Sequence, residues 1–371
     1  MKKVDRYVLS EFLQPLALVV LGLAVLILLV QMVDQLPHLR SYKPSLSQEL
    51  SFYLFQFPYF VTQVLPVGVM LATLIGLGGL ARNSELTALS AGGVSRARVA
   101  LPVLLAALAI SGALLLVSET LVPGASARAR YIQKVQIEKR DVDYDQFWRD
   151  HMAKNLPGRR QLYTVNFDAK NGTMQALVVM AYDANGALQR RLDAAGAHWA
   201  QDTRWVLSKG VERVFDAAGR ETSTRYFESW PEDLGASPSD FMVDSDKREE
   251  DLMQLNIAQL DAIIARLRTT GGDARREQVC RALRISYPFS CFILALLGVG
   301  LPYLFPTGKR ALTGAAMGLV ASLVCGMLYL VFIQVGFSLG TSSHLPVTLS
   351  AWLGNLVFGA LGLGVLWRVN S

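Results

Sequence analysis

Six long apolar runs set the terms on which this 371-residue chain can fold. They cover Phe12–Val33, Phe57–Leu80, Val99–Val117, Ile285–Phe305, Gly314–Gly336 and Leu349–Trp367. A helix crosses a hydrocarbon core with about 20 residues, so each run is close to or above that length. Inside lipid the backbone must satisfy its own hydrogen bonds, and each run is therefore read as a spanning helix. The chain is 52% hydrophobic, and its apolar residues are clumped rather than spread as in a soluble domain. The first run follows Lys2, Lys3 and Arg6. It is too long for the apolar part of a cleaved signal and no small-x-small site follows it, so it is expected to be retained.

Lys and Arg in the short flanks predict the orientation. Lys2, Lys3, Arg6, Arg82, Arg96, Arg98, Lys309, Arg310 and Arg368 fall on one side, against Arg40 and Lys43 in the short loops of the other. Both termini and the 82–98 connector are expected in the cytoplasm, with the long segment between spans three and four outside. Cys280, Cys291 and Cys325 sit in or beside spans four and five; an odd number in apolar helices gives no disulfide framework.

That long segment changes texture. Leu162–Phe167, Ala176–Tyr182, Trp205–Leu207, Val211–Phe215 and Thr224–Phe227 read as short strands. Turn signals fall at Lys170-Asn171-Gly172, Asp183–Gly186, Asp193–Gly196 and Asp216–Gly219. An antiparallel sandwich or jellyroll is expected. Beyond an acidic patch at Asp240–Asp251, the apolar stripe Leu252, Leu255, Leu260, Ile263, Ile264 and Leu267 predicts one helix stopped by Gly271-Gly272. A basic helical piece through Arg275, Arg276, Arg281 and Arg284 then leads into span four. The fold class expected is a membrane α-helical protein with six transmembrane helices (3+3) and an inserted all-β jellyroll domain. Its divisions fall at 1–118, 119–282 and 283–371.

The connector between spans two and three is more than a loop requires. In Arg82–Ser95, Leu86 and Leu89 share one face of a short helix, Glu85 lies on its polar side, and Gly92-Gly93 stop it. A short amphipathic helix between two spans is what a membrane subunit offers to a soluble partner; a tight interfacial turn is the plainer reading.

Catalytic constellations are not found. No Gly-x-x-x-x-Gly-Lys-Ser/Thr is present to cradle ATP phosphates, and His38, His151, His198 and His344 lack metal-ligand spacing. Gly76-Leu77-Gly78-Gly79 follows no strand and reads as close helix packing. Arg128, Arg130 and Lys134 leave span three, Arg275, Arg276, Arg281 and Arg284 approach span four, and Arg40 and Lys43 follow span one, all near the outer interface. Guanidiniums at headgroup depth suit a phosphate-bearing ligand, which Arg grips with paired hydrogen bonds. Snorkelling to ordinary headgroups is the alternative. The polar residues within spans are Gln63, Glu119, Gln334 and Asn355, with no carboxylate chain for proton coupling.

Asp5-Arg6-Tyr7, Val33-Asp34-Gln35-Leu36, Arg82–Leu89, Val122-Pro123 with Arg128–Tyr131, Leu260 through Gly271-Gly272-Asp273, and Leu345-Pro346 with Ala351–Asn355 resemble the LptF/LptG (YjgP/YjgQ) permeases in order and spacing. The first two segments look closer to LptG than to LptF. The resemblance implies a permease subunit of an ABC transporter that extracts lipopolysaccharide from the bacterial inner membrane. Its implied partners are a dimeric LptB-like ATPase that binds ATP and Mg, an LptF-like permease and an LptC-like periplasmic protein. No cofactor is expected in this chain. It further implies that the 82–95 connector is the coupling helix, with Arg82, Ser84, Glu85, Leu86 and Leu89 engaging the ATPase. Arg128, Arg130, Lys134, Arg40 and Lys43 would then meet the lipid's phosphates. Where some relatives carry lysines after span one, this chain has Gln31, Pro37 and His38. Alternatives are the LptF-type half, or a non-transporting envelope scaffold or sensor.

Overall fold

In a computed structural model, residues 3–139, 148–201, 204–241, 249–269, 273–303 and 311–370 are described. Lys2, Arg140, Gly271, Gly272, Lys309 and Arg310, and most of the acidic patch, lie outside them. The chain divides into a helical unit (1–133, 249–260 and 275–371) and a β unit (134–248 and 261–274).

In the helical unit, α1 (Lys3–Tyr42), α2 (Leu46–Arg82), α4 (Arg96–Tyr131), α8 (Ala311–Thr341) and α9 (Val347–Asn370) each contain one apolar run. The fourth run is broken. Pro288 interrupts it with a 3-10 turn (Tyr287–Phe289) between α6 (Arg275–Ser286) and α7 (Ser290–Gly300). Among the described residues, six helical stretches are thus long and apolar enough to span a membrane.

Helix α2 is the hub. One side packs Val69, Ala72 and Leu77 with Val8 and Phe12 of α1, Val103 of α4 and Ala295 of α7. Another packs Met70 and Leu74 with Leu294, Tyr329 and Phe358. Of its apolar window 67% is buried inside the chain, against 11% for α1 and 22% for α8. Gly76 permits the approach of α1, because a Cβ there would lie 2.3 Å from the Glu11 carbonyl oxygen. Pro66 removes an N–H from α2, and in the disturbed turn the Tyr287 hydroxyl donates to the Gln63 carbonyl at 2.7 Å.

The β unit is one antiparallel sheet of six strands in sequence order: β1 (Trp148–Leu156), β2 (Arg160–Asp168), β3 (Thr173–Tyr182), β4 (Leu188–Gln201), β5 (Arg204–Phe215) and β6 (Glu221–Asp233). The inserted antiparallel β domain is as expected, and every connection between its strands is a hairpin. Turns at Asp183–Gly186 and Asp216–Gly219 form where predicted, each with the Asp carboxylate accepting from backbone N–H groups two and four residues on.

Two sequence readings are corrected here. Asp193–Gly196 is not a turn but the interior of β4, and Trp205–Leu207 and Val211–Phe215 are one strand. The cause is a crease. In every ladder the register pairs skip the same row: His151, Val165, Ala176, Ala195, Lys209 and Glu228. His151, Ala176 and Lys209, in alternate strands, have φ of 50°, 50° and 49°. One extra residue in step in every strand inverts the inward alternation without disturbing register. The buried set runs Leu162, Leu177, Leu192 on one side of the row and Phe167, Met174, Ala197, Leu207 on the other. Gly210 beside it is obligatory, since a Cβ would meet the Asp193 carbonyl oxygen at 2.3 Å and the Phe227 ring at 2.5 Å.

The predicted helix from Leu252 also starts later. Asn256 caps α5 (Ile257–Thr269) through a reciprocal pair with Gln259, at 2.8 and 3.0 Å. Leu252 and Leu255 lie before it, both buried.

Candidate functional site

The connector between α2 and α4 folds into a helix of its own, α3 (Glu85–Ala91). Ser84 enters it in the left-handed region (φ 62°), and Gly92 with Gly93 (φ 80°) ends it. Ser95 then caps α4 by accepting from the Arg98 N–H. The apolar face of α3 is turned inward. Leu86 is buried in the same cluster as Val8, Leu80 and Val99, and Leu89 packs against its edge. Arg82, Ser84, Thr87, Ala88, Ser90 and Ala91 are exposed. Leu86 therefore anchors the helix within its own chain.

Glu85 is half-buried and held. The Tyr7 hydroxyl donates to its carboxylate at 2.8 Å, and the Asn83 amide at 3.4 Å. Two residues earlier on α1, the buried Asp5 pairs with Arg98 at 2.9 Å. The start of α1 thus grips α3 at one end and α4 at the other. Between α1 and α3 lies a groove of about 500 Å³ walled by Val4, Tyr7, Ala88, Leu89 and Val94. Asp5 and Tyr7 were legible as part of a motif, yet nothing in their spacing showed that they hold the connector.

The cations differ in their immediate surroundings. Arg128 is exposed, with its guanidinium 5.3 Å from the Tyr131 ring centroid. Arg130 is committed within the helical unit, donating to the Gln254 side chain at 2.9 Å. Lys134 is exposed on the π-helical turn Ile132–Ile137 that follows α4. Lys43 is exposed between α1 and α2, while Arg40 lies near the end of α1 with its side chain outside the described residues. Arg275, beyond α5, donates to the Gly340 and Leu345 carbonyls, each at 2.7 Å.

In the β unit, one face is closed by Trp205, whose indole N–H donates to the Ala236 carbonyl, and by Phe241. Farther along that face Arg190 bonds Glu212 and Glu232 and lies over Trp230, which Arg225 also covers. Burial alone would lower the pKa of Arg190, but the two carboxylates outweigh it and raise it. At the crease the opposite face opens as a trough of about 900 Å³, floored by Val165, Val178 and Val211 between Tyr163 and Tyr226.

Against known families, one sequence profile matches residues 6–368, that of the lipopolysaccharide export system permease LptF/LptG. The chain belongs to this family. It is 24% identical to the LptG permease protein of Escherichia coli K12 over 379 residues, 98% of each chain. It is 22% identical over 377 residues, 95% of each chain, to the LptG permease protein of Haemophilus influenzae. The family assignment and the lean toward LptG drawn from the residues agree with these matches. The six apolar helices among the described residues and the match to a permease family together make the chain a multi-pass membrane protein.

Proposed function

We propose that this chain is the LptG-like permease subunit of an ATP-driven exporter that extracts lipopolysaccharide from the bacterial inner membrane. Its termini and α3 face the cytoplasm and its β unit faces the periplasm. The observation that carries this reading is α3 itself, a short helix anchored beneath by Leu86 and held by Tyr7 at Glu85, with Arg82, Ser84, Thr87 and Ala88 left exposed. A chain without a phosphate-cradling loop must take its work from another subunit, and a rigidly mounted helix is a means of receiving it. The partner is an LptB-like ATPase dimer meeting Arg82, Ser84 and Glu85, with Leu86 and Leu89 keeping that surface in place. An LptF-like permease completes the membrane pair, and an LptC-like protein receives the lipid.

Arg128, Lys134 and Lys43 offer exposed positive charge to the lipid's phosphates, with Arg40 beside Lys43 in sequence. Arg130 joins them only by giving up Gln254. Acyl chains leaving the membrane need apolar cover, worth about 25 cal/mol per Å² buried. The β unit supplies it.

Co-purification tests the reading. The wild-type chain should bring down a nucleotide-binding subunit and a second six-span permease, and Glu85→Ala should release the former while the latter stays. Retention of a fully coupled ATPase by Glu85→Ala would remove α3 from the role given to it.

A further inference from the structure

Glu119 and Arg284 form a buried ion pair that the transport reading has not used. The Arg284 Nε lies 3.0 Å from the Glu119 carboxylate, and the two side chains are only 8% and 24% exposed. Arg284 also donates to the Met253 carbonyl at 2.6 Å and to the Ser118 carbonyl. The second carboxylate oxygen of Glu119 accepts the backbone N–H of Ile257, the first residue of α5, at 3.0 Å. One pair therefore joins α4, α6 and the stretch 253–257.

That stretch is fastened twice more. Arg130 of α4 holds Gln254, and Met253 packs against Val279 and Leu283 of α6 and Ala351 of α9. Residues 249–260 belong to the helical unit, although the chain on both sides of them, 134–248 and 261–274, belongs to the β unit. The segment is thus a return of the chain to the spans, and Glu119–Arg284 is its fixing point.

Stability alone is a weak reason for such a pair. Apolar residues of similar volume often serve as well or better, whereas loss of one partner leaves a buried charge uncompensated. Both residues lie in helices long and apolar enough to span a membrane, Arg96–Ile137 and Arg275–Tyr303, where an ionisable pair marks a candidate functional position. The guanidinium fork does what apolar packing cannot, because it fixes the direction of three acceptors at once.

We propose that Glu119 and Arg284 are positioning residues of lipid transport, locking residues 253–257 to α4 and α6 so that a shift of these helices is delivered to the chain entering the β unit. The proposal rests on the permease reading above. Its content is mechanical: the pair binds neither lipid nor nucleotide, and it acts through the start of α5.

The test uses the assembled transporter in vesicles loaded with lipopolysaccharide, with ATP hydrolysis and lipid release to an acceptor measured on the same sample. Glu119→Gln keeps the acceptor for the Ile257 N–H and loses the charge; Arg284→Lys keeps the charge and loses the fork. Both should assemble and hydrolyse ATP at about the wild-type rate while lipid released per ATP falls by at least about fivefold. An unchanged release per ATP in either assembled variant overturns the proposal. So does a parallel fall of hydrolysis and release in proportion to assembled protein, or failure of both variants to assemble, since each marks a purely structural pair. A wild-type sample that hydrolyses ATP without releasing lipid overturns the permease reading, and the proposal with it.

Discussion

The hydroxyl of Tyr7 donates to the carboxylate of Glu85 at 2.8 Å, joining residues 78 positions apart in the chain. The contact fixes α3 against α1 at the one acidic group of the connector helix. Tyr7→Phe removes the hydroxyl and keeps the ring that walls the neighbouring groove. Because Tyr7 is 44% exposed, water competes for the contact and its loss should leave the stability of the chain nearly unchanged. The chain should insert and assemble normally, while lipid export per ATP falls roughly two- to fivefold, the range expected when one exposed contact is lost. Export at the wild-type level from the assembled Tyr7→Phe transporter would show that Glu85 needs no second anchor.

Leu86 makes the complementary prediction from below the helix. It is 6% exposed and packs in the cluster formed by α1, α2 and α4. Leu86→Ala should cost about 2–4 kcal/mol through lost burial and the cavity left behind. Thr87→Ala, on the exposed side, should leave stability within about 0.5 kcal/mol. Thermal unfolding of the purified chain in detergent separates the two. Equal midpoints would mean that α3 is not mounted on the helical core.

How far the sequence discloses this architecture depends on how each element signals itself. The spans were legible because runs of 20 apolar residues have few other uses, and α3 because Leu86, Leu89 and Gly92-Gly93 are local marks. The Tyr7–Glu85 and Glu119–Arg284 contacts were not. Their partners lie 78 and 165 residues apart, and no local pattern predicts which lone polar residues in apolar helices will meet. Glu119 stood out as a charge within a span; Arg284 was absorbed into a basic run and Arg130 into a set of phosphate ligands. The β unit misleads along the crease for a specific reason. A crease and a turn both call for small or flexible residues, so Asp193-Ala194-Ala195-Gly196 looks like a chain reversal and Ser208-Lys209-Gly210 like a break between two strands. The phase of the apolar residues distinguishes them: Leu162, Thr164 and Phe167, or Trp205, Leu207 and Gly210, skip one place without reversing direction.

The crease carries its own test. Lys209 is exposed at φ 49°, where a side chain costs roughly 1–2 kcal/mol. Lys209→Gly relieves that and gives back about 0.5–1 kcal/mol in unfolded-state entropy, so a net gain of about 0.5–1 kcal/mol is expected. Ala176→Val places a β-branched residue at φ 50° and should destabilise by about 1–3 kcal/mol. Unfolding of the full-length protein, followed by its strand signal in circular dichroism, should order the midpoints Lys209→Gly, wild type, Ala176→Val. The reverse order would mean that the row is not held in the left-handed region.

The β5–β6 turn predicts a pH response. Asp216 accepts the backbone N–H groups of Arg220 at 2.8 Å and Ala218 at 2.9 Å, and its other oxygen accepts from the Arg220 guanidinium at 3.0 Å. The Arg220 backbone N–H is the largest cause holding the carboxyl below the usual carboxylate range; desolvation, next in size, opposes it, and the Arg220 side chain and the Ala218 N–H add to the lowering. A carboxyl whose folded pKa is depressed stabilises the fold above its unfolded value, about 3.9, and that contribution is lost as pH falls through the folded value. The turn should therefore loosen only under acid stronger than an ordinary Asp would require. Because the main donor is backbone, Arg220→Ala should leave most of the depression in place, whereas Asp216→Asn should make the turn insensitive to pH in that range. Carboxyl chemical shifts recorded against pH on the intact chain read this directly. Titration of Asp216 at the ordinary position, or full reversion in Arg220→Ala, would assign the effect to the salt bridge or to nothing at all.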